Sequence, residues 1–123
     1  MAHPIAWFEV LGNDFEGLKR FYGDLFDWSF DDAMEGYAMT APEGQDGLMG
    51  GVGRDPSGSG GHATFYVGVE DVQAALDKAT SLGGTALMPP MEPTPGTTIA
   101  LFSDPEGHVV GLVKPGPPPG QQG

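Results

Sequence analysis

The sequence predicts an α+β domain of two βαβββ modules, forming a curved mixed sheet around a central cleft. Three observations carry that expectation. An extended segment with an aspartate behind it occurs twice: Phe8-Glu9-Val10 with Asp14, and Phe65-Tyr66-Val67 with Asp71, both at an offset of 57. Each copy runs directly into a stretch with apolar residues at helical spacing. Each such stretch is followed by three short extended pieces broken by turn residues.

In chain order, the first helix is marked by Leu18, Phe21, Tyr22 and Leu25, and the second by Val72, Ala75, Leu76, Ala79 and Leu82. Asn13 and Glu16 have the spacing of a capping box, and Asp14 and Asp71 suit a cap or the first turn. Gly83-Gly84 is a stop signal for the second helix. The strands after the first helix are expected at Trp28–Phe30, Gly36–Thr40 and Leu48–Gly53. Those after the second are expected at Thr85–Met88, Thr97–Ser103 and His108–Lys114. Asp104-Pro-Glu-Gly107 reads as a turn between the last two, matched in the first half by Pro42-Glu-Gly-Gln-Asp-Gly47. The modules span about 4–54 and 62–114, joined by the Gly/Ser linker Arg54–Gly61. The Pro/Gly-rich 116–123 reads as a disordered tail.

A chain of 123 residues holds one modest core. The net charge of −12 is uneven: residues 1–56 carry eleven acidic against three basic groups, −8, and residues 57–123 carry six against two, −4. Such a surface repels phosphate backbones and anionic headgroups, which argues against nucleic acid and membranes as partners. It favours a cationic ligand. With no cysteine there is neither a disulfide nor a thiolate site. Met1–Val10 lacks the basic start and apolar run of a signal peptide, and no apolar run has transmembrane length, so a cytoplasmic protein is expected.

Several runs resemble the vicinal-oxygen-chelate superfamily of glyoxalase, bleomycin-resistance and dioxygenase-like proteins. They are Trp7-Phe-Glu-Val with Asp14, Phe21-Tyr22-Gly23 through Trp28, and Phe65-Tyr-Val-x-Val-Glu-Asp-Val72 with Leu82-Gly-Gly84. Phe102-Ser-Asp-Pro-Glu-Gly-His-Val-Val-Gly-Leu-Val113 completes the set. The resemblance covers about Pro4 to Pro115 and implies the clasped two-module fold and a homodimer. It also implies four metal-ligand positions, which here read Trp7, Gly51, Thr64 and Gly111. None supplies the imidazole or carboxylate that a catalytic divalent cation wants. No metal and no other cofactor is therefore expected.

Strand alternation then divides the side chains. Phe8, Val10, Phe65, Val67 and Val69 suit a helix-packed face. Trp7, Glu9, Thr64 and Tyr66 are expected to face the cleft, and the resemblance adds Ile99 and Leu101 on the last strands. Tyr37, Met39 and Met49 are further candidates for a flat, adaptable ligand-binding wall, with Met88 and Met91. Glu9, a carboxylate among aromatics, is the candidate general base or partner of a cationic ligand. His3, His62 and His108 read as solvated surface residues, although His62, two before Thr64, shares that residue's face at the edge of the strand beside the linker. Trp28 reads as an anchor of the helix-to-strand junction.

Three functions fit these residues. A metal-free protein that binds a small organic ligand is favoured by the missing ligand set, the acidity and the aromatic cleft. A metal-independent enzyme would use Glu9 as base, with Tyr66 or Thr64 orienting the substrate. A metal-dependent lyase, isomerase or dioxygenase would need atypical ligands.

Overall fold

A computed structural model describes residues 2–40, 49–58 and 60–114. The expected turn at Pro42–Gly47 and the expected tail at 116–123 lie outside the described residues. Two compact units are present, one of residues 6–65 and one of residues 66–114 with the start of the chain. The first contains β1 (Ile5–Gly12, from Ala6 on), α1 (Phe15–Phe26), β2 (Phe30–Met34), β3 (Tyr37–Thr40) and β4 (Gly50–Arg54). The second contains α2 (Val72–Ser81), β6 (Thr85–Thr94), β7 (Thr97–Ser103) and β8 (Val109–Lys114). Strand β5 (His62–Gly68) passes from the first unit to the second between Phe65 and Tyr66.

The connectivity repeats as the sequence predicts. In the first unit β1 pairs parallel with β4, β4 antiparallel with β3, and β3 antiparallel with β2. In the second, β5 pairs parallel with β8, β8 antiparallel with β7, and β7 antiparallel with β6. A parallel pair needs a long crossover, and the helix together with two strands supplies it. Each module is βαβββ, so the fold class is α+β.

Each helix packs on one face of its own strands. Phe15 on α1 is buried with Ala38 and Val52, and Val10, Leu18 and Phe30 pack around them. Val72 and Leu76 on α2 are buried with Ala100 and Leu112, against Val67, Val69, Ala75 and Phe102. Asp14 and Asp71 are the N-caps, accepting from Gly17 N at 3.0 Å and Ala74 N at 2.9 Å. The capping box of Asn13 with Glu16 gives way to Asp14, because helix α1 begins at Phe15 and the carboxylate one residue before it reaches the orphan N–H.

The helical stripes are narrower than their periodicity suggests. Phe21 and Leu25 are 58% and 57% exposed, and Leu82 is 71% exposed. Each four-stranded set is covered by one helix only as far as Phe15–Leu18 and Tyr22 on one side and Val72–Ala79 on the other, so the outer apolar residues face solvent. Phe65, expected on the helix face, is likewise exposed. Trp28 lies before β2 and not in it. Its ring sits among Phe8, Tyr22, Phe26 and Phe30, with centroids 5.1–6.4 Å away, and anchors the junction as expected. Asp27, in the left-handed region at φ 59°, closes α1 in place of a glycine.

Strand β6 runs to Thr94, beyond the expected Met88, despite Pro89, Pro90 and Pro93. It is the outermost strand of its set, and its pairing with β7 is interrupted by register shifts. Proline is tolerated on such an outer strand because the missing N–H faces no ladder partner. The β7–β8 turn is the one expected: Asp104 accepts from Glu106 N at 2.9 Å and His108 N at 3.0 Å, with Gly107 at φ 91°. The backbone N–H of His108, and then its ring at 3.0 Å, hold the Asp104 carboxyl below the usual carboxylate range. Among the described residues no helix is long and apolar enough to cross a membrane.

Candidate functional site

Three of the five residues of strand β4 are glycines, and that composition shapes the site. On the helix face, a Cβ at Gly50 would collide with the Phe8 ring. On the other face, a Cβ at Gly51 or Gly53 would collide with the ring of Tyr37. The register explains why: Tyr37 stands opposite Gly53, and Gly51 stands between Met39 and Glu9. With no side chain at Gly51 or Gly53, the Tyr37 ring lies across the strand and carries its hydroxyl over Gly51 towards β1.

That hydroxyl meets the two residues of β1 expected on this face. The indole Nε1–H of Trp7 donates to the Tyr37 oxygen at 3.0 Å, and the Tyr37 hydroxyl donates to Glu9 Oε1 at 3.3 Å. The second Glu9 oxygen, Oε2, lies 3.0 Å from His62 Nε2. The Glu9 side chain is 12% exposed and that of His62 is 22% exposed. Burial, and then the adjacent Glu9 carboxylate, push the Tyr37 hydroxyl well above the usual tyrosine range. The result is a relay of four side chains, Trp7 to Tyr37 to Glu9 to His62, all in the first unit.

His62 is the residue that sequence reading missed. It was expected on the Thr64 face but solvated, at the strand's edge beside the linker; the described part of that linker is held in place. Asp55 gathers it, accepting from Ser57 N at 3.1 Å, Ser57 Oγ at 2.8 Å and Gly61 N at 2.9 Å. Gly61, at φ 82°, lies so close to the Leu11 carbonyl that a Cβ there would collide with it. This close approach brings the next residue, His62, beside Glu9. The readable signal was Asp55 with a glycine six residues on, a side chain able to cap the turn. His3 and His108 are exposed, as expected.

The other candidates divide between the units. Met39 and the exposed Met49 share the Gly51 face of the first unit by alternation, as Thr64 shares the His62 face of β5. Tyr66, Leu101 and Ile99 belong to the second unit. There Tyr66 is 5% exposed and its ring covers Gly111, its cross-strand partner, with Leu101 opposite Gly111 on the far side. Ile99 faces Val113 across the β7–β8 pair. The same device thus occurs twice, a tyrosine laid over a glycine of the module's last strand.

The residues do not fit a catalytic divalent cation. Trp7 offers an N–H donor only, and glycines offer no side chain. Where a ligand from position 51 would extend stands the Tyr37 hydroxyl, and over position 111 stands the Tyr66 ring. Among the described residues no three His, Asp or Glu side chains are grouped to hold a metal.

A family model described as Glyoxalase/Bleomycin resistance protein/Dioxygenase superfamily matches residues 4–112. The chain is 29% identical over 115 residues to CFP32 of Mycobacterium tuberculosis (strain CDC 1551 / Oshkosh), which carries a glyoxylase name; 86% of this chain and 43% of that protein are covered. It is 26% identical over 130 residues to the anthracycline biosynthesis protein DnrV of Streptomyces peucetius, with 90% and 46% covered. The chain therefore spans less than half the length of these relatives. Among solved structures, methylmalonyl-CoA epimerase from Mycobacterium tuberculosis superposes with a TM-score of 0.65 at 16% identity, covering 92% of this chain and 88% of that one. A superfamily member from Vibrio splendidus 12B01 gives 0.62 at 12% identity, with 92% and 99% covered. At these identities the structures speak for the fold alone.

Proposed function

Because the chain belongs to the Glyoxalase/Bleomycin resistance protein/Dioxygenase superfamily, we propose that it binds a small organic ligand without a catalytic metal, on the face of the first unit that carries Trp7, Tyr37, Glu9 and His62. The observation that carries this reading is the relay itself. Four polar or aromatic groups converge on the sheet face opposite α1, where the fold gives them no core-building role. Met39, Met49 and Thr64 border it and suit an adaptable apolar wall. Tyr66, Ile99 and Leu101 are proposed to contribute through the second unit. A thermal-shift screen of small organic molecules tests the reading: binders should stabilise the wild type and lose that effect in Trp7→Ala. Binders that stabilise both alike would contradict it.

A metal-independent enzyme is the second reading, favoured by one observation. Glu9 and His62 lie 3.0 Å apart, a carboxylate–imidazole pair suited to moving a proton. Turnover of a bound ligand, abolished in Glu9→Gln with the fold intact, distinguishes it from simple binding.

A homodimer is also proposed. Phe21 and Leu25 form an exposed apolar strip on α1 with Arg20 and Asp24 beside them. Two copies of α1 crossing antiparallel at the level of Tyr22, with Phe21 and Leu25 between them, would set Arg20 of each against Asp24 of the other, the self-complementarity a two-fold interface requires.

A further inference from the structure

Both Glu9 oxygens already have partners, Oε1 the Tyr37 hydroxyl and Oε2 the imidazole of His62. A cationic ligand would have to compete with them, which removes the simplest use of Glu9 as an anionic anchor. We infer that the proton-exchanging group of this site is His62, that Glu9 is its positioning residue, and that the ligand is a weakly acidic aromatic alcohol. The inference rests on the binding reading above.

The geometry assigns the roles in turn. An ionised Glu9 can only accept, so His62 Nε2 must carry the hydrogen between them. In the neutral ring that fixes Nδ1 as the atom with a lone pair. No other hydrogen bond of the His62 ring is found among the described residues, and its side chain keeps part of its surface exposed. A ligand hydroxyl can therefore donate to Nδ1. On transfer, the ligand O–H bond breaks and an Nδ1–H bond forms. The ligand becomes an oxyanion, His62 an imidazolium, and Glu9 remains a carboxylate that stabilises the new positive charge at 3.0 Å. Tyr37 is the wrong group for this task, because its hydroxyl is spent on Glu9 and its proton is held more tightly than usual.

The aromatic half of the ligand class follows from Trp7 and Tyr37. Their rings are fixed by the indole–hydroxyl hydrogen bond, and β4 offers no side chains above Gly51 and Gly53, so a flat ring has flat partners. An aliphatic alcohol is far too weak an acid to give its proton to an imidazole, whereas a phenol made more acidic by an electron-withdrawing ring substituent is not.

The test uses the whole chain and nitrophenols, whose phenolate absorbs visible light. Binding is read by equilibrium dialysis and ionisation by absorbance, at a pH where the free probe is mostly protonated. The expected result is uptake with a rise of the phenolate band. At matched occupancy of the probe, His62→Gln should lose the band and Glu9→Gln should weaken it at least several-fold. Nitrogen-15 NMR of the unliganded wild type should find the hydrogen of the neutral His62 ring on Nε2. Uptake without the band in the wild type, or an unchanged band in His62→Gln, would overturn the inference and leave the binding reading standing. No uptake of any nitrophenol would overturn the assigned ligand class, and a thermal-shift screen that also finds no binder would overturn the binding reading with it.

Discussion

The hydroxyl of Tyr37 lies over Gly51, in the space that any side chain at position 51 would need. The residue with no side chain and the residue that fills its place are one structural unit. Gly51→Ala should push Tyr37 away and break its hydrogen bonds to Trp7 and Glu9. Overpacking of this kind costs roughly 1–3 kcal/mol. Urea denaturation should show that loss, while Tyr37→Phe in the Gly51→Ala background should add little, because the bonds are already gone.

Alkaline pH should destabilise the protein through Tyr37. Unfolded, its hydroxyl ionises near about pH 10; folded, burial and Glu9 hold the proton to a higher pH. Between the two values the unfolded chain has lost a proton that the folded chain retains. Stability from this group is thus fully present below the unfolded value and is lost as pH rises towards the folded one. Tyr37→Phe should flatten the decline above about pH 10 and should remove a late-ionising tyrosine from the ultraviolet titration. A titration curve whose alkaline end is the same in Tyr37→Phe as in the wild type would contradict this.

Purified protein should carry no stoichiometric zinc, nickel, manganese or iron. The reason is the donor set, with Trp7, Gly51, Thr64 and Gly111 at the positions that matter and tyrosines over both glycines. Elemental analysis finding near one equivalent, with ligand binding lost on chelation, would contradict the account.

Phe21→Asp should convert the dimer to monomer, as read by light scattering at micromolar concentration. The side chain is 58% exposed, so the fold should survive and circular dichroism should be unchanged. A wild-type mass of one chain would remove the proposed interface.

Much of this was legible in the sequence, and the misses have physical causes. The duplicated strand-to-helix runs at Phe8 and Phe65 announced both modules, because alternation and helical spacing are local signals. Trp7, Glu9 and Tyr37 could be found because β1 and β3 are short, regular strands. His62 could not, because its position depends on a turn organised by Asp55 and on the contact of Gly61 with Leu11, fifty residues earlier. The exposed Phe21, Leu25 and Leu82 were misread for a related reason: periodicity says that a helix has an apolar side, and not how much of that side its sheet covers.

The central claim is that ligands are held by the relay of Trp7, Tyr37, Glu9 and His62. NMR mapping of a titrated binder from the small-molecule screen tests it most directly. Shifts should centre on the Trp7 indole, the Tyr37 ring and the His62 imidazole. Trp7→Ala should weaken binding by about 2 kcal/mol or more, roughly thirtyfold. Shifts that leave these three side chains unmoved and gather elsewhere, such as along α1 at Arg20 to Leu25, would contradict it.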